Sequence, residues 1–477
     1  MSRKARRITG ALALATVGCI ALIGLGWAPD RPSGPEELRA DALVGDAIDL
    51  MGGPALRSVA RVKLSLVTQW QRTDYRAGPL VDRPSFERHT DLRDYRIPAW
   101  RNTRLLSFDT IVNIVRDSVA ATRIRGSFRP QSVAYVDERE ELFLYTPDRL
   151  ILALSEAPDL KLTGDTLIGE ERHHLVNATL RQDFPVSVAL HSTTHLPRLL
   201  RFRQAHPNDF GLAPFGVMEV EVWYSGWRSF GEVTIPTQWD IWRAGAPYKR
   251  MTVRSADFDP DFAAADSFHI SPKLRSEYLD ARAPMHDVPV DSVTAVGPDL
   301  WRVHGIGSPA GAARVDGGWV FLGAGHTPLN LQRARTALAE AGVEGIRAAI
   351  VAAASPGNGG GVELAREGVP IYTSTAAQPF LDVTLTNAGM SGAEVRVIAE
   401  DRWVGDGEGR LLLTPVDLPD VPGSLVVYSP RGRWLYAPDA VTRLDRRIVQ
   451  RLAGERGWSV ERVGGARGLG FPPALGW

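Results

Sequence analysis

The chain has 477 residues, of which 44% are hydrophobic and 23% are charged, and these are ordinary proportions for a folded globular protein. Its 55 basic residues balance its 55 acidic residues, and no basic stripe with interleaved aromatic side chains is present, which argues against a nucleic-acid partner. A single cysteine, Cys19, excludes an internal disulfide and a cysteine-based zinc site, while the length predicts two or three domains.

The N-terminus carries the pattern of an export signal or a membrane anchor. Four basic residues precede residues 8–27, "ITGALALATVGCIALIGLGW", which contain no charge. At ~1.5 Å per residue this segment is about 30 Å long, enough to cross the core of a bilayer. We expect residues 1–34 to be either an uncleaved anchor with its tether or a signal peptide cleaved near Gly26. Both alternatives predict an exported protein, periplasmic or anchored in the inner membrane, with its domains outside the cytoplasm.

Residues 35–275 are predicted to form a β-rich domain that begins with a helix in residues 40–53, where apolar residues recur at helical spacing. After it, alternating apolar and polar residues predict antiparallel strands joined by turns. The predicted strands are residues 59–70, 141–154, 186–192, 197–204, 218–227, 233–243 and 248–258. A long meander behind a helix resembles the half-barrel of bacterial lipoprotein carriers, and this resemblance implies a carrier or sensor of lipid-like ligands in the envelope.

Two adjacent histidines lie in this region. Neighbouring residues of a strand point to opposite faces of a sheet, so His173 and His174 are not expected to share a metal ion. The chain contains no glycine-rich phosphate-binding loop and no Gly-x-Ser-x-Gly segment. The sequence therefore points to no nucleotide site and no serine hydrolase site.

Residues 276–292 are polar, contain two prolines and show no periodicity, which predicts a linker. In residues 293–477 strands alternate with helices, a pattern typical of a layered α/β domain. Predicted strands are residues 293–305, 312–325, 346–354 and 369–374, and predicted helices are residues 329–342 and 361–368.

This order of elements resembles the metallo-β-lactamase fold. The segment 316–325, "DGGWVFLGAG", is similar to the second hairpin of that family, and 425–441, "LVVYSPRGRWLYAPDAV", is similar to a later hairpin. The resemblance implies an α+β protein, in which an antiparallel half-barrel-like sheet precedes an αββα domain. It also implies a metal-dependent hydrolase, whose ligands come from a His-x-His-x-Asp-His segment before a Gly-Gly turn.

The metal-binding segment of the family is degenerate here. Aligned on the glycines of "SPGNGGG", the three histidine positions fall on Ala352, Ala354 and Gly357, and the carboxylate position falls on Pro356. No histidine follows His326, so the last 151 residues supply no imidazole. A catalytic zinc needs about three nitrogen or oxygen ligands and one open position. We therefore expect no metal, with zinc present only if an atypical site exists.

Three residues stay as candidates for chemistry. The resemblance places a family ligand on Asp420 and the bridging aspartate on Asp439, and two carboxylates suit a hard cation better than zinc. Both also have structural alternatives, because Asp439 could cap a helix near Thr442 and Asp420 could hold a turn. His326 follows a strand at the pocket edge of the fold, where it could bind a ligand, act as a base or pack in a loop.

The sequence thus favours an exported or membrane-anchored, non-catalytic member of the metallo-β-lactamase fold that serves as a binding or scaffold protein. The alternatives are a hydrolase of that superfamily with an atypical or metal-free site, and a carrier acting through the N-terminal sheet. Expected partners are a small molecule or an envelope protein, and the membrane itself through residues 8–27 if they are retained.

Overall fold

A computed structural model describes the chain over the following ranges: 39–73, 82–105, 109–131, 134–181, 184–205, 217–243, 245–261, 267–281, 292–297, 299–304, 310–323, 328–352, 360–419, 421–440, 442–465 and 468–471. The predicted anchor or signal, residues 8–27, lies outside them. Within the described ranges, every helix is too short or too polar to cross a bilayer.

The first half of the described chain forms one large antiparallel sheet. Its strands are β1 Arg61–Thr73, β2 Asp82–Asp94, β3 Ala99–Leu105, β4 Thr110–Arg116, β5 Val119–Ile124, β6 Arg129–Pro130, β7 Lys161–Ile168, β8 Glu171–Leu180, β9 Phe184–His191, β10 Pro197–Ala205, β11 Val217–Phe230, β12 Val233–Arg243 and β13 Ala246–Phe258. Their spatial order is β6-β5-β4-β3-β2-β1-β13-β12-β11-β10-β9-β8-β7. The first and last strands therefore meet inside the sheet, where Leu64 of β1 lies opposite Ala256 of β13.

Alternation along the strands builds the core of this sheet. In β1, Val62, Leu64 and Leu66 are buried on one face, and their cross-strand neighbours on β13 continue that face. The alternation from which this sheet was predicted is thereby confirmed for β1 and β9–β13. The strands β2–β8 were not among those predicted, and in β2 and β3 the buried positions include the polar residues Asp91, Arg93 and Asn102.

Helices cover the buried face of the sheet. They are α1 Ala40–Leu50, α2 Pro54–Ser58, α3 Ala134–Tyr145, α4 Pro147–Glu156 and α5 Pro272–Ala281. Apolar residues of α1, α3, α4 and α5 belong to the same core cluster as those of the strands. The helix predicted in residues 40–53 is confirmed by α1, and α5 runs across the predicted boundary between residues 275 and 276.

The strand predicted at residues 141–154 is wrong, because this segment forms the end of α3 and most of α4. Pro147 occupies the first turn of α4, where its fixed φ and missing N–H are tolerated. Leu150, Ile151 and Leu154 then repeat at helical spacing and are fully buried. The short apolar runs on either side of the proline are compatible with both a strand and a helix, and packing of these segments against the sheet favours the helix.

The second half of the described chain forms two sheets. The first contains, in spatial order, β14 Ser292–Gly297, β15 Leu300–His304, β16 Ala310–Val315, β17 Gly318–Leu322, β18 Ile346–Val351, β19 Ile371–Ser374 and β20 Val395–Ile398. The second contains β21 Arg402–Val404, β22 Leu411–Val416, β23 Ser424–Ser429, β24 Trp434–Ala437, β25 Arg462–Gly465 and β26 Gly468–Phe471. In the first sheet the pairs from β17 to β20 are parallel, and in the second only β24 and β25 are parallel.

The two sheets share one core cluster. Ala348 and Ile350 of β18, together with Ala352 just after it, belong to the same buried cluster as Leu425 and Val427 of β23. The intervening residues of β18 belong instead to a cluster with helices α6 Pro328–Glu340, α7 Gly361–Arg366 and α8 Gln378–Asn387. On the second sheet, the alternate residues of β23 and β24 pack with α9 Arg443–Glu455. Strand periodicity thus puts one face of each sheet toward the other sheet and its second face toward helices.

Candidate functional site

The metal-binding segment of the family aligns with residues that begin just after β18, and Ala352 is the aligned position that the structure describes. Ala352 is completely buried, with 0% exposure, in the cluster shared by the two sheets. Its carbonyl oxygen accepts a hydrogen bond of 3.3 Å from Ser374 Oγ, which itself accepts from the backbone N–H of Ala377 at 3.0 Å. The position of the first family histidine therefore carries a methyl group in the core and no ligand atom from its side chain.

The other motif positions and two of the three candidates lie outside the described residues. These positions are Ala354, Pro356, Gly357, His326 and Asp420. Their predicted roles stay predictions, and the remaining candidate, Asp439, is described.

Asp439 lies just after β24 and is 4% exposed. One of its carboxylate oxygens accepts a hydrogen bond of 2.8 Å from Ser424 Oγ at the start of β23. Burial, reinforced by the nearby Asp439 carboxylate, raises the pKa of Tyr436 above its usual value and keeps the phenol neutral. Asp439 is thus a buried carboxylate that holds together two neighbouring strand ends.

The suggested helix-capping role of Asp439 is wrong. Thr442 is the N-cap of α9, and its side chain accepts from the backbone N–H of Asp445. Asp445 in turn accepts from the backbone N–H of Thr442, which completes a capping box. Thr442 is thus the residue that caps the helix, whereas Asp439 accepts its hydrogen bond from Ser424.

A glycine turn lies at the same edge of the second sheet. Asp417 Oδ1 accepts from the Gly423 N–H at 2.8 Å, and Thr375 Oγ1 donates to the Gly423 carbonyl at 3.0 Å. Gly423 has a φ of +73°, and a Cβ at this position would lie 1.9 Å from Thr375 Oγ1. The turn beside Pro422 is therefore held by Asp417, and the close approach of Thr375 requires glycine.

These side chains provide hydroxyl groups and two carboxylates, Asp417 and Asp439, at the edge where the strands end. Within the described ranges, no group of three histidine, cysteine, aspartate or glutamate residues is placed to hold a metal ion. Asp439 could contribute one oxygen to a cation, which is fewer than the three or so ligands of a catalytic zinc. The described geometry supports hydrogen bonding and packing.

The adjacent histidines of β8 lie on opposite faces, as predicted. The His173 ring contacts His191 across the strand pair, with centroids 5.3 Å apart, whereas His174 Nδ1 lies 2.7 Å from Asp165 Oδ1. Burial lowers the pKa of His173 below its usual value. His304, at the end of β15, has its Nε2 2.9 Å from Thr294 Oγ1.

A group of buried charges under the N-terminal sheet was missed by the sequence analysis. Arg243 Nη2 donates to Glu141 Oε2 at 2.9 Å, and Lys249 Nζ lies 3.3 Å from Glu138 Oε1. Arg243, Lys249 and Glu141 are each about 5–6% exposed. These two ion pairs join β12 and β13 to α3, which is therefore attached to the sheet by charge as well as by apolar packing.

The environment of Lys249 keeps it charged. Its Nζ lies 4.7 Å from the ring centroid of Trp70 and 5.8 Å from that of Tyr248. Burial by itself would lower the pKa of Lys249, but the Tyr145 phenol and the Glu138 carboxylate outweigh burial and raise it. A lysine with a raised pKa is a poor nucleophile, so this group is structural or recognises an anion.

A second buried polar group lies on β2 and β3. Arg93 Nη2 donates to Asp91 Oδ2 at 3.1 Å, and Asn102 Nδ2 donates to Asp91 Oδ1 at 2.8 Å. His89 lies beside them, with its Nε2 2.8 Å from Thr68 Oγ1. Burial lowers the pKa of His89, so the ring is neutral at pH 7.

Next to this group, three buried polar atoms have no hydrogen-bond partner among the described residues. They are Trp100 Nε1 on β3, Asn113 Oδ1 on β4 and Thr122 Oγ1 on β5. Asn113 and Thr122 are directly opposite each other in the strand register, and they are 2% and 1% exposed. Buried polar atoms of this kind usually contact ordered water or a ligand.

A sequence signal for this buried polar surface exists in β2. Its segment 82–94, "DRPSFERHTDLRD", carries Glu87, His89, Asp91 and Arg93 at every second position. The alternation has the period of a strand, with ionisable residues where apolar residues are expected on the buried face. The alternation of ionisable residues therefore indicates a strand here, although a search for alternating apolar residues does not find it.

Comparison with known proteins gives partial likenesses. No family model and no curated protein matches the chain. A DUF1329 family protein from Desulfovibrio piger is similar at 9% identity and a TM-score of 0.34, over 48% of this chain and 97% of that chain. A LolA superfamily protein from Nitrosomonas europaea is similar at 11% identity and a TM-score of 0.32, over 50% of this chain and 100% of that chain. A metallo-β-lactamase from Pontibacter korlensis is similar at 17% identity and a TM-score of 0.29, over 36% of this chain and 89% of that chain.

These structural neighbours thus include metallo-β-lactamases at low identity and partial coverage. Likenesses of this size identify neither a family nor an activity for this chain.

Proposed function

We propose that the protein is an exported or membrane-anchored, non-catalytic binding or scaffold protein whose C-terminal half is a degenerate αββα unit of the metallo-β-lactamase type. The observation that carries the proposal is the burial of Ala352, where the family has its first metal-binding histidine. A methyl group packed between two sheets cannot coordinate a metal ion. Asp439, at the bridging position, accepts a hydrogen bond from Ser424.

The layering of the C-terminal half supports the αββα assignment. One buried cluster joins the facing sides of the two sheets, a second joins the first sheet to α6–α8, and a third joins the second sheet to α9. A helix layer on each outer side of two packed sheets is the arrangement that the proposal requires.

Metal content and hydrolase activity test the non-catalytic part of the proposal. The full chain, purified without chelator and dialysed, is expected to contain far less than one zinc per molecule. It is also expected not to hydrolyse β-lactams, thioesters or phosphodiesters, because its described residues provide too few ligands to activate a water molecule. Stoichiometric zinc that survives dialysis would show that an atypical site exists and would make the hydrolase alternative correct.

Export is tested independently with a reporter that is active only outside the cytoplasm. Fused after residue 290, the reporter is expected to be active, because residues 8–27 have the length and polarity of an export segment. The same fusion without residues 1–27 serves as the control and should be silent. A silent but stable full-length fusion would contradict the proposed location.

A second candidate function is the binding of a small molecule under the N-terminal sheet. The unpartnered atoms of Trp100, Asn113 and Thr122 favour it, because together they offer a donor, an acceptor and a hydroxyl on three adjacent strands. Such a ligand would carry a polar group that both accepts and donates hydrogen bonds. A pure hydrocarbon would not satisfy these three atoms.

Organic extraction of the purified full chain, followed by mass spectrometry, tests this second function. The parent is expected to release a small molecule, and Asn113→Leu/Thr122→Val is expected to release less, since it replaces both polar atoms at similar volume. Thr252→Val, on a half-buried position of β13, is the matched control and should release as much as the parent. If the parent releases nothing, water satisfies these atoms and the candidate function is wrong.

A further inference from the structure

The last helix, α9, has a strongly basic outer face. Val449 and Ala453 are buried against the second sheet, whereas Arg443, Arg447 and Arg451 are exposed. The three arginines are spaced by four residues, so their side chains lie in one row along the solvent side of the helix. At ~1.5 Å per residue, the row is about 12 Å long.

This arrangement is unfavourable for an isolated helix. Like charges four residues apart repel each other, and Arg443 lies in the first turn, where the helix dipole disfavours a positive charge. Across the described part of the chain, none of the three arginines forms an ion pair or a hydrogen bond. By contrast, Arg446 of the same helix donates to the Thr442 carbonyl at 3.3 Å.

The same surface exposes an apolar side chain. Leu444, beside Arg443 and one turn before Arg447, is 56% exposed. Glu455 is the exposed acidic residue of the helix, and it lies beyond the row, near the C-terminal end. A surface that combines unneutralised guanidinium groups with an exposed leucine matches the interface of a bilayer, where anionic headgroups overlie acyl chains.

We propose that the basic face of α9 docks on a membrane surface containing anionic phospholipid. Each guanidinium can form two parallel hydrogen bonds to a phosphate, which compensates the repulsion within the row. Leu444 adds apolar contact at the level of the headgroups. The proposal concerns residues outside the metal-motif edge, so it stands whether or not the C-terminal half has an activity.

A fluorescent probe placed on this face tests the proposal. The full chain with Cys19→Ser and Gln450→Cys has one cysteine, at an exposed position of the same helix face between Arg447 and Arg451. It is labelled with an environment-sensitive fluorophore and reconstituted with phosphatidylcholine vesicles with or without phosphatidylglycerol. Because the probe reports the surroundings of α9, membrane attachment through residues 8–27 does not by itself give a signal.

A blue shift of the emission is expected with the vesicles that contain phosphatidylglycerol and not with those of phosphatidylcholine alone. High salt should reverse the shift. Arg443→Gln/Arg447→Gln/Arg451→Gln should lower the ratio of docked to undocked helix about 100-fold, since each of the three basic residues near an anionic membrane contributes about fivefold. The matched control Arg88→Gln/Arg203→Gln/Arg254→Gln changes the net charge equally at exposed positions of the N-terminal sheet and should leave the ratio unchanged.

Three results would overturn the proposal. An equal shift with neutral vesicles would show that charge is not recognised, and an unchanged shift in the α9 triple variant would show that these arginines are not the contact. A shift with duplex DNA or polyglutamate but not with vesicles would assign the face to a nucleic acid or an acidic protein instead.

Discussion

Replacing Ala352 by His tests whether the first ligand position of the metal motif has become part of the core. Ala352 is 0% exposed in the cluster between the two sheets, so an imidazole has no free volume there. Overpacking a well-filled site costs ~1–3 kcal/mol. Burying a ring nitrogen without a partner costs ~1–3 kcal/mol more. We therefore expect the free energy of unfolding to fall by ~2–6 kcal/mol, a large part of the ~5–15 kcal/mol typical of a domain.

Urea unfolding followed by tryptophan fluorescence measures this effect, and the transition of the C-terminal half is fitted separately because a chain of several domains need not unfold in one step. Ala352→Leu adds volume without a polar nitrogen and separates the two costs. Gln450→His introduces the same imidazole at an exposed position of α9 and should change stability by less than ~0.5 kcal/mol.

Adding zinc should not restore the Ala352→His protein, because Ala354 and Gly357 offer no further side-chain ligands. An Ala352→His protein that unfolds at the same urea concentration as the parent, without metal, would refute the reasoning. The position would then be an open pocket, and the claim that packing has replaced metal binding would fail.

Three further predictions concern other described groups. Lys249→Met should destabilise the protein by ~1–3 kcal/mol, because it leaves the Glu138 carboxylate, which is 30% exposed, without its partner. Lys249→Met/Glu138→Gln should recover part of that loss in urea unfolding, and equal stabilities of the single and double variants would contradict the ion pair. Gly423→Ala should be less stable than Gly342→Ala, because both glycines have a positive φ but only a Cβ at position 423 would meet a side chain, that of Thr375. Thermal melting compares the two variants, and identical melting temperatures would exclude the clash. Burial lowers the pKa of His89 in the folded protein, so His89 of the unfolded chain takes up a proton as the pH falls below 6.5 while His89 of the folded protein stays neutral. The free energy of unfolding should therefore fall as the pH is lowered from 6.5 to the pKa of His89 in the folded state. His89→Asn should reduce that slope by up to ~1.4 kcal/mol per pH unit, and an unchanged slope would show that His89 does not titrate in this way.

Much of the strand and helix order was predictable because apolar periodicity follows burial. The run 346–354 contains β18, whose alternate residues face the two layers, and the amphipathic run 329–342 overlaps all but the first residue of α6. In both segments apolar positions report the period directly, because the core around them is apolar.

Prediction failed where burial and polarity diverge. The strands β2–β5 carry Asp91, Asn102, Asn113 and Thr122 on the buried face, and a search for apolar alternation passes over them. Helices α3 and α5, which come later in the chain, lie against β4 and β5, so only the tertiary structure shows that these polar residues are inside. Prediction of the candidate site had the same limit. The sequence shows that the side chain of Ala352 has no metal-ligating atom, but it does not show that Ala352 is packed between two sheets.

The pairing of the first strand with the last one inside the large sheet has a consequence for how the chain folds. Most of its neighbouring strands are also neighbours in sequence, so each flank can form as a series of hairpins soon after synthesis. The contact between β1 and β13 is different, because Ala60 and Arg61 donate their backbone N–H groups to Asp259 across a separation of 198 to 199 residues. Joining the flanks must wait until β13 has been made, and closing so long a loop is slow. The sheet therefore completes late, and this delay suits the export proposed above, because a chain crosses a membrane more readily before it has folded.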